Sequence, residues 1–568
     1  MVTVEATHAA LRRGAAGETE DGRSTLRYAL AASAAFAIGL GLYVRTLLPD
    51  VGAWDTAEFQ AIGPVLGIAH PTGYPTYTML AWLASVLLQP FGNEAYRADL
   101  LSALLVAGAG ALAAVAAVQL TGRAMLGLLA GIAFIVTPMA WRVGVRADAH
   151  ALHAFLAALL LVLLFEWQRR ERREAAAGPS SHRVRASAWL VAAAVVFGLS
   201  LGNHALTLLL APGIALFVLL VAPALLWQRW RLTLACVAAV TVTTVAVYAY
   251  IPLRSLAEPP LDYARPRTWE RFWYLVLGGQ FQGAFRPLPG LGEIAVRAWE
   301  AISAALGPLP AALATLGVLV SGVRNGRVIV LTGLWFAGTW AFALGYPNAV
   351  IERYYLVPIL VACIWLALSV DGLASAAAGL RRRFGQQGLP GAGVAVSGER
   401  ASRVTAMGLG LVLLAIVVLP VPGRLVSQDA SSQTGRPWLE ATLGALERDA
   451  VVISWWSFST TLWYGRWVEG RRDDILIVDD RDVLDDGYGT AGAVIERFID
   501  ERPVYIVRLE PERLVLAERY LVEPVPGIPY GNLYRVLGRR AEEVTGRSGY
   551  DARRAQRPRD RSPISVAR

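Results

Sequence analysis

The chain has 568 residues, 55% of them apolar and only 17% charged, with a mean hydropathy of +0.45. A soluble multidomain enzyme of this size is excluded, because most of the chain is apolar runs whose solvent must be lipid. The net charge of +9 comes from 53 basic against 44 acidic residues; the basic ones are all arginine and gather in joints between apolar runs, so no nucleic-acid partner is needed to explain them.

The polar arm 1–27 leads into an apolar run from Tyr28 that is long for a signal peptide and reads as an uncleaved signal-anchor. Apolar runs follow near 28–48, 76–89, 97–120, 124–140, 150–167, 187–202, 205–226, 232–251, 298–322, 328–345, 355–378 and 404–421. The arginine-rich joint 168–186 and the arm with Arg12, Arg13, Arg23 and Arg27 both belong inside, so an even number of spans separates them. Five runs lie between, and the shortest, 76–89, is the length of an interfacial segment. Removing it leaves eleven spans. Arg123, Arg229 with Arg231, Arg324 with Arg327, and Arg381–Arg383 then fall inside, while loops 49–96, 141–149, 252–297 and 346–354 fall outside.

The fold expected is a polytopic α-helical membrane domain, 28–421, with juxtamembrane helices in its first outer loop, 49–96. An extracytoplasmic α/β domain follows over 422–538, and a disordered basic tail over 539–568. Within the α/β domain, helices are expected over 438–448, 460–469 and 493–500 and strands over 450–454, 475–478 and 504–507. Gly385 to Arg403 reads as a flexible cytoplasmic linker. The two cysteines, Cys236 and Cys363, lie inside apolar runs and offer neither a disulfide framework nor a cysteine-based metal site. The location expected is a bacterial or archaeal plasma membrane, with the N-terminus cytoplasmic.

Chemistry concentrates in the outer loops. Asp55 and Glu58 are three residues apart at the mouth of the first span, on one side of a helical turn, where they either line a wet cavity or cap a surface helix. His70 sits in His70-Pro71-Thr72-Gly73-Tyr74-Pro75, a turn that launches the interfacial segment. Arg146 and Asp148 share the second outer loop, and Asn203 and His204 interrupt an apolar stretch at an outer turn. Arg353 and Tyr354 lie in Glu352-Arg353-Tyr354-Tyr355 just before a span, where Arg353 reads as an interfacial anchor or a partner of Glu352. Arg254, Asp262, Tyr263, Trp269, Phe272, Trp273 and Tyr274 form an aromatic-rich stretch suited to the membrane surface or to a sugar ring. The cluster Trp455, Trp456, Trp463, Tyr464 and Trp467 reads first as core beneath a sheet, with a ligand-gripping aromatic face as the other reading. The acidic run Asp479, Asp480, Asp482, Asp485 and Asp486 lacks the spacing of an EF-hand, so no metal site is assigned.

The stretch Trp54-Asp55-Thr56-Ala57-Glu58-Phe59, followed by Leu66-Gly67-Ile68-Ala69-His70-Pro71-Thr72-Gly73-Tyr74-Pro75, resembles the N-terminal signature of the protein O-mannosyltransferase-like family of GT-C membrane glycosyltransferases. Gly198 to His204, Glu352 to Tyr355, and Leu462 to Tyr464 with Val468 to Asp474 resemble further blocks of that family. The resemblance implies a hexose donor, with mannose foremost, carried on a polyprenyl phosphate. It also implies an outer hydroxyl acceptor on protein Ser/Thr, while an envelope glycan or lipid hydroxyl, needing the same base and donor site, is the alternative. Asp55 would be the general base, with Glu58 beside it in the catalytic set; His70, Arg146, Asp148, Asn203, His204, Arg353 and Tyr354 would contact donor or substrate. Divalent-metal dependence stays open. The rival reading is a transporter or flippase of lipid-linked sugars; the odd span count, the large outer domain and the lack of an inverted repeat argue against it.

Overall fold

A computed structural model describes residues 25–177, 183–346, 350–385, 394–485 and 487–540. Most of the N-terminal arm and of the 539–568 tail, and much of the 385–403 linker, lie outside the described residues.

Among the described residues, seven helices are long and apolar enough to cross a membrane: Thr25–Arg45, Glu94–Thr121, Ala149–Ala176, Trp230–Leu256, Gly322–Gly345, Ile351–Leu380 and Glu399–Ser427. An eighth comes from Ala124–Ile135 with Pro138–Gly144, bent by 70°; Pro138 at the second helix's first turn lacks the N–H that would continue the ladder. Three shorter apolar helices, Ala186–Leu201, Ala205–Val221 and Pro308–Val320, stand at the remaining predicted spans. The chain is therefore a polytopic helical membrane protein, as its apolar runs imply.

Burial separates the helices into two sets. The apolar windows of Glu94–Thr121, Ala149–Ala176 and Ile351–Leu380 are 78%, 89% and 83% buried, whereas those of Thr25–Arg45, Trp230–Leu256 and Glu399–Ser427 are at most 22% buried. The first three form the bundle interior and the others present apolar side chains outward, as helices facing lipid do. Small residues let the inner helices approach closely: a Cβ at Gly317 would lie 2.0 Å from the Trp365 carbonyl oxygen, and one at Gly131 would lie 2.7 Å from that of Gly110.

The first loop holds two short helices, Trp54–Val65 and Pro75–Leu87. The second occupies the 76–89 run and is 13 residues long, too short to span a bilayer. It buries Tyr77, Thr78, Ala81 and Ala84 and leaves Trp82, Leu83, Val86 and Leu87 exposed, an apolar strip suited to a membrane surface.

Beyond residue 436 a small α/β unit is built on strands β1 (Val451–Ile453), β2 (Leu476–Val478), β3 (Val504–Val507), β4 (Tyr520–Pro524) and β5 (Leu533–Arg539). Their order is β2-β1-β3-β5-β4. β1 runs parallel to β2 and β3, and β5 antiparallel to β3 and β4. The three parallel strands are the three expected from the sequence. β1 and β3 are wholly buried, as central parallel strands must be. The helices Asp480–Asp485 and Glu510–Ala517 and the β4–β5 hairpin were not anticipated. β5 ends on Arg539, one residue into the expected tail, where its guanidinium pairs with Glu496 and Asp500.

This unit is stitched to the first loop. Ala430 N–H donates to the Thr46 carbonyl (3.0 Å) and Gly435 N–H to that of Val51 (2.7 Å); the Thr434 and Thr461 hydroxyls donate to the carbonyls of Val51 and Gly52. Arg436 reaches Asp50 through two hydrogen bonds (2.8 and 2.7 Å) and Glu469 through a third, and these partners raise its pKa further. One continuous hydrophobic core runs from the membrane helices into Trp438, Leu439, Val452 and Tyr464.

Candidate active site

Where the first loop meets the α/β unit lies a cavity of about 1640 Å³. Its wall carries Asp55, His70, Arg142, Arg146, Asp148, His150, His204, Arg353, Tyr354, Gln433 and Trp456, with Tyr263, Trp269, Phe272 and Trp273 from the aromatic stretch. Leu208, Val245 and Phe285 also line it and are more than half exposed, so an apolar side of the cavity reaches the lipid-facing surface.

Asp55 occupies the first turn of Trp54–Val65, where the helix dipole favours an anion. The residue before it, Trp54, has φ +56°, a left-handed backbone that a bulky residue seldom adopts and that is found where a site dictates the geometry. Both carboxylate oxygens of Asp55 are engaged: Arg353 Nη1 donates to Oδ2 and Trp456 Nε1 to Oδ1, each at 3.0 Å. Burial alone would raise the pKa of Asp55. The charges of His70 and Arg353 and the Trp456 bond outweigh it, holding the carboxyl below its ordinary range.

Arg353 Nη1 also stands 3.4 Å from Asp148 Oδ2. Asp148 Oδ1 accepts from the His150 backbone N–H (2.8 Å) and lies 2.8 Å from its ring Nδ1. Burial opposes ionisation of Asp148, but Arg353 and His150 keep it well below the usual carboxylate range. The result is a connected chain of polar groups, Asp55–Arg353–Asp148–His150. Rings of His150 pack on those of His204 (4.8 Å) and Tyr354 (5.3 Å).

Two predicted residues stand behind the wall. Glu58 is 2% exposed; its Oε1 accepts the His70 backbone N–H at 2.8 Å and its Oε2 contacts His70 Nδ1. Burial raises the Glu58 pKa. Burial opposes the charged form of His70, but the Glu58 carboxylate prevails and raises the histidine. Asn203 is fully buried and donates to the Ala149 carbonyl at 3.1 Å, tying its turn to the start of the earlier Ala149–Ala176 helix. Arg146 does reach the cavity and bonds Gln433 there. Arg254 turns away, capping the Trp54–Val65 helix through the carbonyls of Leu66 and Val65.

Three features were missed in the sequence. Trp456 was read as core, yet its indole N–H holds Asp55 across 401 residues of chain. Asp479, Asp480 and Arg481 reach the cavity wall, and burial pushes the Asp479 carboxyl up to about 6. His150 bonds Asp148; it lies in the first turn of the Ala149–Ala176 helix, just after Arg146 and Asp148, a spacing that could have flagged it. Among the described residues, no three His, Cys, Asp or Glu side chains form a group able to hold a metal ion.

Residues 55–226 match the family model described as the N-terminal domain of protein O-mannosyl-transferase TMEM260. The protein O-mannosyl-transferase TMEM260 of Mus musculus is 30% identical over 228 residues, 39% of this chain and 30% of that protein. Its counterpart in Dictyostelium discoideum is 25% identical over 177 residues, 30% of this chain and 21% of that protein. The matched stretch thus spans under a third of either relative; both are eukaryotic and lend no support to a bacterial or archaeal plasma membrane. Among solved structures, ArnT from Cupriavidus metallidurans bound to undecaprenyl phosphate superposes with a TM-score of 0.56 at 15% identity, covering 89% of this chain and 97% of that one. The Archaeoglobus fulgidus oligosaccharyltransferase superposes with a TM-score of 0.52 at 14% identity, covering 85% and 69%. The fold is that of the GT-C membrane glycosyltransferases, and the first-loop resemblance to the protein O-mannosyltransferase-like family is borne out.

Proposed function

We propose that this protein is a glycosyltransferase that moves a hexose, mannose by the family likeness, from a polyprenyl-phosphate donor to a hydroxyl on the extracytoplasmic side. The acceptor we favour is a protein Ser or Thr. The observation that carries the reading is Asp55: an ionised carboxylate, fixed at both oxygens, on the wall of a cavity whose other side is apolar and open to lipid.

Asp55 accepts the proton of the attacking hydroxyl as that oxygen bonds to the anomeric carbon. The polyprenyl phosphate leaves from the opposite face as an anion, which inverts the configuration. The leaving phosphate calls for preorganised cations, and Arg353 and Arg146 fit the task, since a guanidinium keeps its charge and presents a fork of donors. Among the described residues Arg353 bonds carboxylates through Nη1, so Nε and Nη2 are available to a phosphate. Glu58 acts on His70, and the relatives' names and the undecaprenyl phosphate of the ArnT structure favour the same donor and acceptor classes. The α/β unit and the first loop then face outward, with the N-terminus inside.

The test supplies purified protein with radiolabelled polyprenyl-phosphate mannose and a membrane extract. Label passing into protease-sensitive material supports a protein acceptor, and label in protease-resistant material moves the acceptor to glycan or lipid. Donor crossing the bilayer with no label transferred would replace the enzyme by a flippase. Reporter fusions after residues 178 and 470 are expected to mark opposite sides of the membrane; same-side signals would overturn the orientation.

A further inference from the structure

The α/β unit contributes to the site in a way that the membrane helices cannot. Among the described residues, its hydrogen bond to the base comes from Trp456, at the first position of the Trp456–Trp463 helix that follows β1. That helix is fixed to the first loop by Thr461, whose hydroxyl donates to the Gly52 carbonyl at 2.9 Å. Gly52 lies three residues before Asp55, so the carboxylate and its indole donor are held by one short, doubly anchored segment. The adjacent Trp455 packs edge-on against Trp54, with ring centroids 5.6 Å apart, and its own buried indole N–H has no hydrogen-bond partner. Trp456 alone of the two delivers a donor to the carboxylate.

We propose that Trp456 is the positioning residue of the base: its indole N–H holds Asp55 Oδ1, and Arg353 holds Oδ2, so that one remaining lone pair of the carboxylate faces the acceptor hydroxyl. The α/β unit therefore completes the catalytic centre instead of standing apart as a binding module. This rests on the reading of Asp55 as general base. Four titratable groups besides Arg353 face Asp55 or feel its charge: His70, Glu58, Asp148 and Tyr74. His70 packs its ring edge-on against the Trp456 indole, with centroids 5.5 Å apart, so the exchange must keep a ring there for a change in the acid limb of activity to report the lost donor.

Trp456→Phe removes the N–H and keeps a ring. A donor to a charged acceptor is a strong hydrogen bond, so its loss is expected to move the acid limb of kcat up by about one pH unit and to lower kcat about tenfold at the optimum. KM for polyprenyl-phosphate mannose stays within about twofold. Trp456→His, whose ring Nε2–H can donate from the same side, restores the limb, and Trp455→Phe, which removes an indole N–H bonded to nothing, leaves it unmoved. The assay uses full-length protein, radiolabelled polyprenyl-phosphate mannose and membrane extract across pH 4 to 9. An unmoved limb in Trp456→Phe overturns the proposal, as does an equal shift in Trp455→Phe or equal losses in the Phe and His variants. If the Phe protein does not accumulate, the His variant carries the test: a wild-type limb supports the proposal and a displaced one overturns it. Asp55→Asn separates the two readings. Retained transfer there sinks the base itself, whereas lost transfer there with an unmoved limb in Trp456→Phe sinks only the role of Trp456.

Discussion

Replacing Arg353 by Gln removes the cation that Asp55 and Asp148 share. Its Nη1 is 3.0 Å from Asp55 and 3.4 Å from Asp148. At an effective dielectric of about 20, a unit charge pair at such a distance interacts by roughly 5 to 5.5 kcal/mol. The side chain of Asp55 is 27% exposed and faces a wide cavity, so solvent screening cuts this to about 1.5 to 3 kcal/mol, or one to two pH units. Because the partner depresses the pKa of Asp55, the base is charged above that value and activity falls as pH drops through it. In Arg353→Gln the acid limb therefore moves upward by one to two units. The same variant loses phosphate contacts, each charged hydrogen bond being worth about 1.5 to 3 kcal/mol, so kcat/KM for the donor falls about tenfold to a hundredfold. Arg353→Lys keeps the charge without the fork, and is expected to recover the pH limb more fully than the donor affinity. The assay is initial-rate transfer from radiolabelled polyprenyl-phosphate mannose over pH 4 to 9. A Gln variant with wild-type donor kinetics and an unmoved acid limb would refute this reasoning.

Other consequences concern stability. Glu58 and His70 both have raised pKa values, so the folded protein binds more protons than the unfolded chain; their contribution is present below the unfolded values and fades as pH rises through the folded ones. Glu58→Gln is expected to cost about 1 to 3 kcal/mol near pH 6 and less at alkaline pH, read by thermal unfolding in detergent. Gly317→Ala forces a Cβ against the Trp365 carbonyl and is expected to lower stability by about 1 to 3 kcal/mol in the same measurement; an unchanged Tm would show that the two helices are not in close contact. Arg436→Met leaves Asp50 and Glu469 without their shared partner. It is expected to increase protease cleavage between residues 427 and 436, where the α/β unit joins the membrane domain, because the stitching to the first loop loosens.

Much of this architecture was legible because lipid imposes strict rules. Apolar runs and arginine joints marked the helices, and parity alone laid the 76–89 segment on the surface, where its exposed Trp82 and Leu83 now sit. The hairpin of β4 and β5 escaped because β4 is an edge strand with mostly exposed side chains and a proline at its end, so it lacks the apolar signal that marked β1 and β3. Asp55 and Arg353 were both legible, one from its motif and one from its depth beside a span. Glu58 shows how far helical spacing can be trusted. Three residues advance a helix by about 300°, close enough to share a side but not a wall: Asp55 faces the cavity and Glu58 turns inward to His70. Trp456 could not be read as a partner of Asp55, because no local pattern joins positions 401 residues apart.

Transfer by Asp55→Asn tests the account most directly. The substitution keeps the shape of the side chain and removes its ability to accept a proton. With polyprenyl-phosphate mannose and membrane extract, transfer is expected to fall about a hundredfold to ten-thousandfold, while expression and donor binding stay at wild-type level. Transfer undiminished in that variant would contradict the assignment of Asp55 as the base.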